Sequence, residues 1–184
     1  MKIRILSFNN KVLRVLWNII FLLFFKPSPI FMFKWRASLL KCFGAKVGKN
    51  VRIYPRVKIW APWNLKIGNF SSIANDVDFY NVDSISIGSY STISQYSFLC
   101  TASHDYLNSV ALTQAEMPLI TAPIEIGDYV WIAAYVFLVP GIHIASGTVV
   151  LARSTVLKNT KEWSVVAGNP ATFKKLRLLN NSLT

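Results

Sequence analysis

Aliphatic residues recur along much of this 184-residue chain with a step of six. Val47, Ile53, Ile59 and Leu65 form one run. After a two-residue slip come Ile67, Ile73, Phe79 and Ile85, and after another Ile87, Ile93 and Leu99. Ile126, Ile132, Leu138, Ile144, Val150 and Val156 then continue in unbroken register. A period of six fits neither the 3.6-residue turn of an α-helix nor the two-residue alternation of a strand. It is the period of a parallel β-helix, in which each hexapeptide makes one flat side of a triangular coil. The aliphatic side chain points to the axis and stacks on its equivalent one coil away. A small residue follows at Gly48, Gly68, Ala74, Gly88, Gly127, Ala133 and Ala145, where the backbone approaches a corner. The expected fold is an all-β solenoid with a one-dimensional core and capped ends.

The length allows one domain. Residues 46–168 are expected to form the β-helix, with one excursion over 103–123 where the register breaks. An excursion of that length from a regular coil points to function rather than packing. Residues 169–184 are expected to form a short C-terminal helix and tail, with Asn169 and Pro170 as N-cap and first helical residue.

Residues 1–45 are expected to form a helical cap. Val12–Phe25 is too short to cross a bilayer and contains Arg14 and Asn18. No small-residue cleavage site follows it, as a signal peptide would require. Apolar residues at 12, 15, 16, 19, 20, 22 and 23 fit an amphipathic helix nearly buried at its end. A second helix is punctuated by Ser28 as N-cap, Pro29 at the first position, inward Leu39 and Leu40, and Gly44 at C′. A further reading, compatible with capping, lays this pair on an anionic membrane with its Lys and Arg facing lipid.

The net charge of +12 is unevenly distributed. Residues 1–75 hold fourteen Lys/Arg and no acid, whereas all eight acids fall within 76–162. Nucleic-acid binding would use such charge, but the basic residues fall at helical spacing beside an apolar face and no nucleic-acid motif accompanies them. Cys42 and Cys100 cannot make a disulfide framework, and reduced thiols in a cytoplasmic protein are expected. A zinc site of the γ-carbonic anhydrase kind needs three histidines, and the chain has only His104 and His143.

The segments Ile93–Tyr106, Pro123–Ala134 and Val165–Ala171, with Trp35–Gly48 at the N-terminus, resemble the hexapeptide-repeat acyltransferases. Within that family the match is to sugar O-acetyltransferases of the colanic-acid-biosynthesis and the galactoside and maltose acetyltransferase types. The resemblance implies a left-handed parallel β-helix assembled as a homotrimer, with active sites in the grooves between subunits. It also implies acetyl-CoA along the helix axis as co-substrate, no metal, and a sugar or glycan intermediate as acceptor. The implied role is surface-polysaccharide assembly. The expected location is the cytoplasm, peripheral on the inner face of the cell membrane through residues 1–45. A catalytically silent β-helix scaffold is the alternative.

Acetyl transfer from a thioester to a hydroxyl needs a base for the leaving proton, held reactants, and a donor for the oxyanion. A neutral imidazole suits the first task. His104 opens the excursion and matches the family's catalytic base, while His143 falls at a regular repeat position on a coil face. Asp105, Glu116 or a backbone carbonyl would orient His104. Tyr80, Asn81 and Asp83 lie one coil earlier and, with Asn75 and Met117, are candidates for acceptor binding. Asp76 and Asp78 are further candidates. Cys100 is read as a packing residue rather than a nucleophile.

Trp131, Ala133 and Ala134 match the family segment that approaches the pantetheine arm. Ala133 stands where Gly is usual, and Ala152 and Arg153 stand where Gly-type residues are common. Lys158, Lys174 and Lys175 are candidates for the CoA phosphates, with Gly168, Asn169 and Pro170 shaping the adenine end.

Overall fold

The structure, a computed structural model, describes residues 2–3, 7–105 and 117–178. Successive coils run through three short strands in a fixed order, and equivalent strands pair in parallel to build three flat faces. The first face stacks Lys46–Val47, Leu65–Ile67, Ile85–Ile87, Ile124–Ile126 and His143–Ile144. The second stacks Arg52–Ile53, Ser72–Ile73, Thr92–Ile93, Trp131–Ile132, Val149–Val150 and Ser164–Gly168. The third stacks Lys58–Ile59, Asp78–Tyr80, Phe98–Cys100, Phe137–Leu138 and Thr155–Val156.

Every residue of the six-step series is buried, the most exposed being Val47 at 8%. Burying each Ile or Val contributes about 1.5–3 kcal/mol, so the column of axial side chains supplies most of the driving force. The slips have a plain cause. Leu65 and Ile67 share one strand and both point inward, as do Ile85 and Ile87 and Ile124 and Ile126. Added length enters at the corner between third and first faces, where the first coil inserts the 3-10 turn Pro62–Asn64. The excursion leaves from the same corner. Its roots, Ala102–His104 and Leu119–Thr121, pair antiparallel, and Lys2–Ile3 adds a third strand. No sequence pattern pointed to that N-terminal strand.

The small residues at the corner between first and second faces are small because the coils touch there. A methyl group on Gly68 would lie 2.5 Å from the backbone of Gly88, and one on Gly88 would lie 2.5 Å from that of Gly127.

The first helix, α1 (Phe8–Ile20), has Ser7 as its N-cap and continues as a π-helical turn, Phe21–Phe25. Its buried residues are Trp17 and Phe25, and the Trp17 indole donates to the Ile59 carbonyl at 2.7 Å. The wider π turn rotates Phe25 onto the Trp17 face. The expected buried stripe is therefore corrected: Val12, Val15, Leu16, Ile19, Leu22 and Leu23 face outward. The second helix, α2, spans Phe33–Cys42 with Met32 as N-cap, later than Ser28 and Pro29 suggested. Those two residues are bound to buried Arg36 instead. Gly44 does occupy the left-handed C′ position, with φ +87°.

The expected C-terminal helix is also corrected. Ala171–Leu176 is a strand that folds back antiparallel on Ser164–Gly168, and Asn169 and Pro170 form the turn between them. Asn-Pro serves turns as readily as helix starts, and the unpaired edge of the second face decides for the hairpin.

Candidate active site

His104 is half-buried at the root of the excursion, where its Nδ1 lies 3.2 Å from the carbonyl oxygen of Met117. A backbone carbonyl accepts only from a protonated nitrogen, so this contact selects the tautomer with hydrogen on Nδ1 and the basic lone pair on Nε2. Among the described residues, the Met117 backbone carbonyl is an acceptor placed at Nδ1. Met117 therefore enters through its carbonyl. Asp105 donates its backbone N–H to the Pro118 carbonyl at 3.0 Å, bracing the two roots of the excursion. Glu116 lies outside the described residues.

The corner below the excursion is tied by hydrogen bonds. Asp83 accepts from the Thr121 hydroxyl at 2.9 Å and from the Ser84 N–H at 2.7 Å, and its own N–H donates to Thr101. Its carboxylate thus grips the returning strand. Asn81 is fully buried, donating to the Ala61 carbonyl at 2.6 Å and accepting from the Ala61 N–H at 3.0 Å. The expectation that Asn81 contacts an acceptor is corrected: its amide ties two coils together.

Tyr80 sits beside this corner, edge-on to Trp60 at 5.9 Å between centroids. With Lys58, Asp78, Trp60, the α1 residues Trp17 and Asn18, and Phe21 of the π turn it lines a pocket of about 270 Å³. Burial pushes the Asp78 carboxyl above the usual range, partly offset by Lys58 at 3.8 Å. Asn75 and Asp76 lie at the opposite edge of the third face. Asn75 accepts from the backbone of Arg56, and the Arg56 guanidinium, 2.7 Å from Asp76, holds that carboxyl below the usual range. Asn75 is thus separated from His104 within one chain.

The predicted pantetheine-side residues fall on successive coils along one edge. Trp131 stands on the outer side of the second face, about half exposed, its indole donating to Ser94 at 3.1 Å. Ile132, Val150 and Val166 are in register, which aligns Ala134, Ala152 and Gly168 along the axis. Arg153 donates its N–H to the Ala134 carbonyl, and Gly168 donates to the Ser154 hydroxyl. The Arg153 guanidinium lies 5.8 Å from the Tyr135 ring centroid. Ala133 is buried behind this edge. Asn169 and Pro170 extend the row at the hairpin turn. Lys174 and Lys175 project from the terminal strand, whereas Lys158 follows the third face and is not part of the row.

Cys100 and His143 were expected to be a packing residue and a coil-face residue. Cys100 is buried, contacts the Ala102 carbonyl, and burial raises its thiol pKa. His143 stands on the first face, 3.4 Å from Glu125.

Sequence reasoning missed two features. Arg36 is fully buried without a carboxylate, donating to the Ile53, Pro29 and Ile30 carbonyls and the Ser28 hydroxyl. A ladder of aromatics, Phe70, Tyr90, Tyr129 and Trp163, climbs one corner with positive φ at each position. The recurring Ile-Gly-X-Phe/Tyr at 67, 87 and 126 was its signal.

No family model matches the chain. Over 170 residues it is 42% identical to a protein described as a colanic acid biosynthesis acetyltransferase, WcaF, of Escherichia coli (strain K12). That match covers 92% of this chain and 90% of the relative. A hexapeptide-repeat acetyltransferase of Vibrio cholerae O1 biovar eltor, solved with acetyl coenzyme A, superposes with TM-score 0.82 at 25% identity, covering 94% and 91% of the two chains. A galactoside acetyltransferase solved with coenzyme A superposes with TM-score 0.85 at 23% identity, covering 95% and 86%, a likeness of fold. With its repeat, its coil architecture and a relative this similar over nearly its whole length, the chain belongs to the hexapeptide-repeat acyltransferases, among the sugar O-acetyltransferases.

Proposed function

We propose that this protein transfers the acetyl group of acetyl-CoA to a sugar hydroxyl in surface-polysaccharide biosynthesis, with His104 as general base. The observation that carries the reading is the Nδ1 contact to the Met117 carbonyl, which leaves Nε2 as the basic nitrogen. In the step, the acceptor oxygen bonds to the thioester carbonyl carbon as its proton passes to Nε2. The tetrahedral intermediate collapses with cleavage of the C–S bond, and the proton passes from His104 to the departing thiolate. No acyl-enzyme forms, and Cys100, buried and protonated, is not required.

The acceptor is read into the pocket of Asp78, Tyr80 and Trp60 beside the excursion. Acetyl-CoA is read along the edge marked by Trp131, Ala134, Ala152, Arg153 and Gly168, with Lys174 and Lys175 toward its phosphates. These two regions belong to opposite parts of a coil: His104 rises from the corner between third and first faces, and the second face lies across from that corner. The separation of His104 from Trp131 supports a homotrimer with sites between subunits, which is part of the reading, as is peripheral contact with the inner face of the cell membrane.

Release of the CoA thiol from acetyl-CoA across a panel of sugars tests the proposal. His104→Ala and His104→Asn should each lower turnover by about 10²–10⁴-fold without changing thermal stability. Unchanged turnover would overturn His104 as the base, and a parent that releases no CoA thiol with any sugar would favour the scaffold alternative.

A further inference from the structure

We propose that the acceptor is a membrane-borne glycolipid, met by an enzyme that rests on an anionic bilayer through the outer side of α1; this builds on the acetyltransferase reading above. The inner side of α1 is committed to the solenoid through Trp17 and Phe25. Its outer side presents Phe8, Val12, Val15, Ile19, Leu22 and Leu23 at helical spacing, with Val15, Leu22 and Leu23 about 60% exposed. A contiguous apolar stripe of this kind on a surface helix marks an interaction site.

Length and attachment decide how the helix meets lipid. Phe8–Phe25 is 18 residues long and, by length and composition only, apolar enough to cross a membrane. At 1.5 Å per residue it reaches about 27 Å, short of the roughly 30 Å hydrocarbon core. Crossing would also pull Trp17 and Phe25 out of the protein. The helix therefore lies in the interface with its outer stripe among the acyl chains.

Charge selects the occupant. Lys11 and Lys26 flank the stripe, Arg14 being turned inward with its guanidinium 3.9 Å from the Trp60 ring centroid, and residues 1–75 contain no acid. A second copy would bring the same cations against one another with no carboxylate to separate them, whereas anionic headgroups complement them.

The position of the pocket then names the acceptor class. Trp17 and Asn18 on the inner side of α1, with Phe21 of the π turn, wall the pocket of Asp78, Tyr80 and Trp60. Only the helix itself, about 10 Å thick, separates that pocket from the apolar stripe. A sugar carried on a lipid anchor reaches the pocket while its tail stays in the bilayer.

The test uses the full-length protein and two measurements. Sedimentation with phosphatidylglycerol vesicles should carry the protein down, and phosphatidylcholine vesicles should carry less than a tenth as much. Ile19→Glu/Leu23→Glu should abolish sedimentation while leaving the melting temperature unchanged. The second measurement compares dodecyl and methyl glycosides of glucose, galactose and fucose as acceptors in those vesicles. The dodecyl member should be acetylated at least tenfold more efficiently than its methyl partner, and the double variant should lose that advantage while keeping methyl-glycoside turnover. Absence of vesicle binding overturns the docking surface, and a stable α1-to-α1 association without vesicle binding does the same. Vesicle binding with equal use of both members overturns the glycolipid assignment alone. If neither member of any pair is acetylated although acetyl-CoA binds, the enzymatic reading for these sugars fails, and sedimentation still decides the surface.

Discussion

Arg36 shows how one side chain can fix the orientation of a whole segment. It lies in the dry contact between the linker at 28–30, α2 and the first coil, and its guanidinium satisfies three backbone carbonyls. Burial pushes its pKa down, but from so high a value that it stays charged. Arg36→Met keeps most of the volume yet strands those carbonyls, and should cost about 3 kcal/mol. Differential scanning calorimetry should find the midpoint lowered by about 6–12 °C, at 2–4 °C per kcal/mol for a chain of this size. Asp76 and Asp78 make a second point at this scale, because two carboxylates on one strand and its corner shift in opposite directions. Arg56 lowers the Asp76 value, so its contribution is present near neutrality and lost as pH falls. Burial raises Asp78, so the unfolded chain gives up that proton first and stability declines as pH rises through the window above the usual carboxylate value. Asp78→Asn should therefore be more favourable, relative to the parent, at pH 6.5 than at pH 3.5 in urea melts. In the acetyl-transfer assay the same variant should raise KM for the acceptor several-fold and leave KM for acetyl-CoA alone. His104 could be singled out as a candidate from the sequence because only two histidines exist and one stands at the break in the repeat. Arg36 could not, because nothing local distinguishes a buried cation from the thirteen other Lys/Arg of residues 1–75.

At the scale of elements, the six-residue period determined nearly everything between 46 and 168, because each axial side chain has one place to go. The corners obey a second rule that the period does not express. Adjacent coils meet backbone to backbone at Gly68, Gly88 and Gly127, so Gly88→Ala has to force a methyl into the Gly127 peptide. The expected cost is about 3 kcal/mol by overpacking, checked by chemical denaturation with the m-value held constant. Two residues further along the same corner, Phe70, Tyr90 and Tyr129 accept left-handed backbone and recover energy by stacking at 5.0 and 5.1 Å. Tyr90→Ala removes both stacks and should cost about 1–3 kcal/mol, whereas the unstacked loss at an isolated exposed tyrosine is near zero. The two ends of the chain were the least legible. Whether 169–178 is a helix or a strand depends on a free sheet edge, which is a tertiary fact. Which side of α1 faces inward depends on where Ile59 presents its carbonyl to Trp17.

At the scale of the whole molecule, the triangular section itself argues for a shared site. Chain order takes each coil from first face to second to third, so the corner that launches His104 is the one opposite the face that carries Trp131. Placing one chain's His104 corner against the next chain's second face solves the problem at every interface of a closed ring. Complementation tests this directly. His104→Ala and Trp131→Ala chains should each be nearly inactive as pure assemblies. Co-expressed and randomly mixed in equal amounts, they place an intact His104 against an intact Trp131 at about one interface in four. Acetyl transfer should then recover to about a quarter of the parent value, since each productive groove needs only one good contribution from each neighbour. Equilibrating separately purified variants under conditions that allow subunit exchange should restore activity on the timescale of exchange. Were the site complete within one chain, every chain in the mixture would still lack a required residue, and the mixture would be as inactive as its parts.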